Sequence, residues 1–367
     1  MSADPGRKFS ADDALPPVEP PSAGFIVQLF VIPGAIVVVI VLVSLLFNWL
    51  AHMESDPQAY LDQIERGKAN SWQAAHDLAI LLSRDAALRR DPDLAGRLAK
   101  LLDAQLAGAL PPTEAEQEQH AHLLVFLAQA LGEMQSPVGL PALLEAARTN
   151  RGEADIKVRA AALEALATLA NRYQKSPELD RPQIVATLVA ASTDDSHVIR
   201  ERAAYGLGVL GGSEATAALE RLVIDGYPDV RFNAATALAR SGNLAALPVL
   251  EEMLDPEETA GVKVEEQASA RGAKQALILI NGLKAAALMA EHAPTADLGK
   301  LRESVEKVAK FSETGKLPPE MATKIEIEAT KALRAFEQPG RTPQAATPTS
   351  GPGRFAIQRF EPLTQGA

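Results

Sequence analysis

VRAAALEALATLA (residues 158–170), IRERAAYGLGVLG (199–211) and VRFNAATALARSG (230–242) align over thirteen residues without a gap. Six positions agree in kind: Val158/Ile199/Val230, Arg159/Arg200/Arg231, Ala162/Ala203/Ala234, Ala165/Gly206/Ala237, Leu166/Leu207/Leu238 and Ala170/Gly211/Gly242. A weaker fourth copy follows at a similar interval with Arg271, Ile278 and Gly282. A helical unit recurring at such short intervals cannot bury its apolar stripe alone and buries it on its neighbour, so the pattern predicts an all-α chain of stacked helical hairpins. Small residues at the alanine positions let helices approach, the leucine fills the gap between them, and a terminal glycine takes the left-handed conformation that ends a helix.

Between the copies the sequence predicts a second helix each time, at residues 182–191, 214–224 and 244–254, with Pro182 and Pro248 near helix starts, where a missing amide proton costs little. Stacking sets these second helices side by side along one wall. Their polar positions, Glu214, Glu220, Arg221, Glu251 and Glu252, form the candidate partner surface. Four of the five are acidic, which favours a basic protein partner and binding that weakens with salt.

At these residues the chain resembles the HEAT-repeat family, armadillo-like helical repeats whose first helix carries a similar Val-Arg followed by spaced Ala, Ala-Leu and Gly. The match is clearest over residues 158–254 and fades on both sides, where 72–83, 91–106, 113–132 and 136–148 read as further helices of similar composition. The resemblance implies an α-solenoid at residues 55–290 that binds other proteins, on the concave side lined by second helices. The family's aspartate three residues before the Val is kept at Asp155 but replaced by Ser196 in the second copy, so a ladder of Asp–Arg pairs is expected to be partial. Some short HEAT-like proteins resemble bilin lyases, which gives a minor enzymatic alternative that no nucleophile or acid–base pair supports.

Upstream of the repeats, FIVQLFVIPGAIVVVIVLVSLLFNWL runs from Phe25 to Leu50 without a charged side chain. As one helix it would extend about 39 Å, and starting in the turn at Pro33 about 27 Å, against a hydrocarbon core of about 30 Å. Either form predicts one transmembrane helix after a disordered tail at 1–24. A cleaved signal peptide fits poorly, because the start is acidic (Asp4, Asp12, Asp13, Glu19 against Arg7, Lys8), the apolar run is too long, and no small-residue cleavage site follows. The flanking bases are balanced, two on each side, and the long C-terminal part favours a cytoplasmic N-terminus with the solenoid outside. Gln28, Ser44 and Asn48 are the strongly polar positions in the run, where a partner helix in a membrane complex would bond.

Downstream, residues 298–311 and 319–336 predict two charged-faced helices that cap the solenoid at 295–336, with Glu303/Lys307, Glu306/Lys310 and Glu320/Lys324 four apart. From Glu337 to 367 the composition turns to Pro, Gly and Thr, a tail that cannot bury enough apolar surface to order itself. Its apolar island RFAIQRFEPL (354–363) is a candidate docking motif through Arg354, Phe355, the Gln358-Arg359 pair and Phe360.

The charge of −11 from 36 basic and 47 acidic residues argues against a nucleic-acid partner, and the absence of cysteine excludes disulfides, thiolate metal sites and cysteine nucleophiles. No phosphate loop, nucleophile elbow or zinc-protease motif occurs, so no catalytic residue, cofactor or small-molecule substrate is assigned. Glu116, Glu118, His120 and His122 pair each Glu with a His four residues on. The two histidines, two apart on a helix, point about 200° from one another and do not share a metal.

Overall fold

The computed structural model describes residues 24, 27–51, 56–67, 70–173, 178–257, 261–262, 268–312 and 319–337. It divides into two units, Met1–Asp56 and Pro57–Ala367. In the first unit a π-helical turn, Val27–Val31, leads directly into α1 (Ile32–Ala51), with Pro33 at its second position. At 1.5 Å per residue α1 is about 30 Å long. Every side chain from Val31 to Leu46 is exposed, the large apolar ones by 44 to 60%. Phe25 lies outside the described residues.

The second unit is built, among its described residues, from helices alone. In chain order they are α2 (Pro57–Glu65), α3 (Ser71–Arg84), α4 (Pro92–Ala107), α5 (Glu114–Glu133), α6 (Leu140–Ala146), α7 (Asp155–Arg172), α8 (Arg181–Ala191), α9 (His197–Leu210), α10 (Ser213–Leu222), α11 (Pro228–Ala239), α12 (Leu247–Met253), α13 (Ala268–His292), α14 (Gly299–Ser312) and α15 (Pro319–Glu337). Odd-numbered helices from α3 to α15 form one row, each packed on the next, and each even-numbered helix packs on the odd helix after it, making a second row. Several starts are capped by side chains: Asp91 accepts from the amides of Asp93 and Leu94, Asp180 from Gln183, and Thr113 with Glu116 forms a reciprocal capping box.

The aligned positions are the core. Val158, Ile199, Val230, Ala162, Ala203, Ala234, Leu166 and Leu207 are fully buried, and Leu238 is 1% exposed. Along the odd row the small residues set the spacing, for a Cβ on Gly132 of α5 would lie 2.8 Å from the Ala165 Cα of α7, and one on Gly208 of α9 would lie 2.6 Å from the Ala237 Cβ of α11. Along the even row contact is sparse, and α6 scarcely meets α8. The row of first helices is therefore the tightly packed spine, and the second helices hang from it.

Two details differ from the sequence expectation. Gly211 and Gly242 do end their helices at positive φ (+66° each), but Gly282 lies inside α13, where an added Cβ would come within 3.1 Å of Leu254, and the helix runs on to His292. The two helices expected as a cap continue both rows: α14 packs on α12 and α15 on α13, a last hairpin of the same stack. Among the described residues one helical stretch, Ala270–His292, is long and apolar enough to cross a membrane. Half of it is buried in the solenoid, with Leu279, Leu283, Ala286 and Met289 packed among α11, α12, α14 and α15, as a core helix requires.

Candidate partner-binding surface

The aligned arginines are structural before they are anything else. Arg200 donates through Nε to Asp225 Oδ2 at 2.7 Å and through Nη2 to Asp225 Oδ1 at 3.1 Å, while Nη1 donates to the carbonyls of Asp194 and Asp195 at 2.8 and 2.9 Å. Arg231 repeats the arrangement one repeat on: its Nε and Nη2 hold Glu252, and its Nη1 donates to the carbonyls of Asp225 and Gly226 at 2.9 and 3.2 Å. Arg159 pairs with Asp194. Each turn between repeats is thus held by the arginine before it through a carboxylate and by the arginine after it through carbonyls.

This ladder is complete over the three copies, with acids other than the expected ones. Asp155 bonds instead to Arg151 and Thr149, accepting from the Arg151 amide at 2.6 Å and from Nη2 at 3.0 Å. Burial pushes the Asp155 and Asp225 carboxyls up, but the arginine and amide hydrogen bonds outweigh it and hold both below the ordinary range. Asp194 and Asp225 each stand five residues before Ile199 and Val230, the spacing that marks these acids in the sequence.

Of the five residues expected to meet a partner, Glu214, Glu220 and Arg221 on α10 are exposed, and Glu251 on α12 is half-buried. Glu220 accepts from Asn243 Nδ2 at 2.7 Å, and Arg221 donates to the Ala217 carbonyl of its own helix. Glu252 is the rung for Arg231, with its side chain 22% exposed, so its charge is spent inside the repeat. Arg354, Phe355, Gln358, Arg359 and Phe360 lie outside the described residues.

Two groupings on the odd row went unread in the sequence. Trp72 and His76 of α3 meet His122 and Phe126 of α5: the Trp72 ring lies 5.9 Å from His122, edge on, and 6.4 Å from Phe126, stacked, and His76 stands 4.8 Å from Phe126. The i, i+4 spacing within each pair was the available signal. Further along, half-buried polar groups gather on α9 and α11. Burial raises the Glu201 carboxyl and the Tyr205 hydroxyl above their ordinary values and lowers the Arg240 guanidinium. His122 turns to Glu118 at 3.3 Å, and Glu118 also pairs with Lys157. His120 is lowered, by burial first and by Arg151 second. Among the described residues no three His, Asp or Glu side chains are placed to hold a metal.

The family description "HEAT repeats" matches residues 150–229 and again 185–270, the stretch that holds the ladder. No curated protein matches the chain. Among solved structures the chain is similar to a computationally designed armadillo repeat protein for modular peptide recognition, at 18% identity over 76% of this chain and 99% of that one, with a TM-score of 0.34. It is also similar to an engineered protein (18% identity, 77% of this chain and 97% of that one, TM-score 0.32) and to human deoxyhypusine hydroxylase in complex with glycerol (17%, 77% and 96%, TM-score 0.26). At these scores the likenesses carry no argument. On the two-row stack, the arginine ladder and the match to HEAT repeats over residues 150–270, the second unit is an α-solenoid of HEAT-like helical hairpins.

Proposed function

We propose that this chain is a membrane-anchored scaffold that binds a protein partner along its second helices and catalyses nothing itself. The observation that carries the binding reading is a division of labour among the charges. The aligned arginines and their acids hold the turns together, whereas exposed Glu214, Glu220 and Arg221 on α10 and half-buried Glu251 on α12 support no rung. Exposed acidic side chains such as Glu214 and Glu220 stabilise the fold little and can meet a basic surface.

Anchoring is supported by α1, whose described side chains from Val31 to Leu46 are all exposed and include neither acid nor base. Such a surface in water would be a large apolar patch, and in a bilayer it is matched. On this reading the N-terminus is cytoplasmic and the solenoid stands on the other side.

The test compares the full chain with one starting at Ser55. The shortened chain should be soluble and helical, leave the membrane fraction, and recover the same crosslinked partners. Retention on membranes after a carbonate wash overturns the single anchor. Loss of every partner moves the protein to a different class, a membrane-complex subunit that packs through Gln28, Ser44 and Asn48.

A further inference from the structure

On one edge of the solenoid, the turns that follow α3 and α5 and the end of α7 enclose a cleft of about 420 Å³ lined by Arg89, Gln135, Arg172 and Tyr173. Its walls are tied together, since the Gln135 amide donates to the Arg89 carbonyl at 2.6 Å and Arg90 Nε donates to Gln135 Oε1 at 3.2 Å. Arg89 is held from behind, where Nη1 donates to the carbonyls of Leu82 and Ser83 at the end of α3, at 3.3 and 3.0 Å. Arg172 is clasped by the carbonyl and carboxylate of Glu133, which cancels its charge.

The donor and acceptor inventory of this lining is weighted toward donors. Arginine has N–H donors and no acceptor, and the amide oxygen of Gln135 already accepts from Arg90, which leaves it one lone pair beside the two donors of its NH₂ group. Burial, and then the charge of Glu178, pushes the Tyr173 hydroxyl up, so it stays protonated at neutral pH and able to donate. Among the described residues, Arg89 Nη2, Gln135 Nε2 and the Tyr173 hydroxyl donate to no protein acceptor, while Arg89 Nε is sealed from solvent without a partner.

We propose that this cleft binds an oxyanion, the carboxylate or phosphate group of a ligand, held by Arg89 with Gln135 and Tyr173 beside it. A guanidinium with an uncommitted N–H group, here Arg89 Nη2, is well suited to such a group, and charge-assisted hydrogen bonds of this kind are about twice as strong as neutral ones. The volume leaves room for a small molecule or a chain end around the anion. The site lies apart from α10 and α12 and does not depend on the scaffold reading.

The test is calorimetric titration of the full chain in detergent with two probes, inorganic phosphate and an N-acetyl dipeptide with a free C-terminal carboxylate. At least one should bind saturably. Arg89→Gln should weaken it about tenfold, one charge-assisted hydrogen bond's worth, and Tyr173→Phe by about three- to tenfold. Tyr173→Phe leaves the hold on α3 intact, so it reports on the cleft even if Arg89→Gln disturbs the fold, and Arg302→Gln on the exposed face of α14 should change nothing. Binding of phosphate alone assigns a phosphate ligand, and binding of the dipeptide but not its amide assigns a carboxylate. The proposal fails if neither probe saturates by about 10 mM, or if Tyr173→Phe and Arg89→Gln both leave affinity within about twofold.

Discussion

Replacing Arg200 with Ala removes one rung of the ladder, and its cost follows from the geometry. The side chains of Arg200 and Asp225 are 14% and 9% exposed, and the substitution deletes four hydrogen bonds at once. Asp225 is left with the Tyr227 amide, at 2.8 Å, as its remaining partner. Stranding one member of a buried ion pair costs about 3 to 5 kcal/mol. The bond to the Asp195 carbonyl is exposed and is replaced by water, so the lower end, about 3 kcal/mol, applies here. Arg200→Met combined with Asp225→Asn keeps the amide acceptor and removes both charges, so it should recover most of the loss. Guanidinium unfolding of the chain starting at Ser55, followed by circular dichroism, measures the differences. Because Asp225 is held below the ordinary carboxylate range, the stabilisation is present above about pH 4 and is lost as pH falls through the lowered value. The gap between wild type and Arg200→Ala should therefore close in acid. A cost under about 1 kcal/mol at pH 7, or a double mutant no better than the single, refutes the ladder as a structural device.

Other expectations follow from packing and burial. Gly132→Ala should destabilise by about 1 to 3 kcal/mol despite alanine's better helix propensity, because its Cβ meets the α7 backbone at 2.8 Å, whereas Gly96→Ala in α4, with open space around it, should stabilise by about 0.5 to 1 kcal/mol. Melting curves of the pair decide it, and equal shifts would contradict the close odd row. Leu207→Asp puts a carboxylate at a fully buried position and should cost about 3 kcal/mol or more, while exposed Glu220→Ala stays within about 0.5. Burial raises the Glu201 carboxyl despite Arg202, so its ionised form strains the fold at neutral pH. Glu201→Gln should raise the denaturation midpoint at pH 7, with the gain vanishing as pH falls toward 4.5, and a loss at pH 7 would contradict it.

The periodic part of the fold was legible in the sequence because each aligned position has one physical job. Val158, Ala162, Leu166 and their counterparts pack, and the structure buries them all. Helices with weak motifs, such as α3 to α6, were still readable from composition and turn residues. The ladder's acids were harder, since Asp155 keeps the family's spacing yet is taken by Arg151, a residue four positions away that reaches the carboxylate before Arg159 does. Gly282 looked like a helix end because the pattern does not say whether a glycine is at positive φ or pressed against Leu254. On the candidate surface, exposure at Glu214 and Glu220 followed from helix phase, but the use of Glu252 by Arg231 depends on how α11 and α12 pack, which no local pattern encodes. The cleft at Arg89 gathers side chains from three well-separated stretches of the chain, beyond any local signal.

The claim that the second helices hold the partner is tested most directly by charge reversal. Glu214, Glu220 and Glu251 are changed together to Lys, leaving the rung residue Glu252 intact, and capture of the native partner by the membrane-bound chain is measured at low and at physiological salt. Exposed charges are screened beyond about 8 to 10 Å at physiological ionic strength, so wild-type capture should fall as salt rises. The reversed chain, with an unchanged melting temperature, should capture far less at either salt. Capture that ignores both the reversal and the salt, yet disappears when residues 354–363 are deleted, would take the binding function away from the solenoid and give it to the tail.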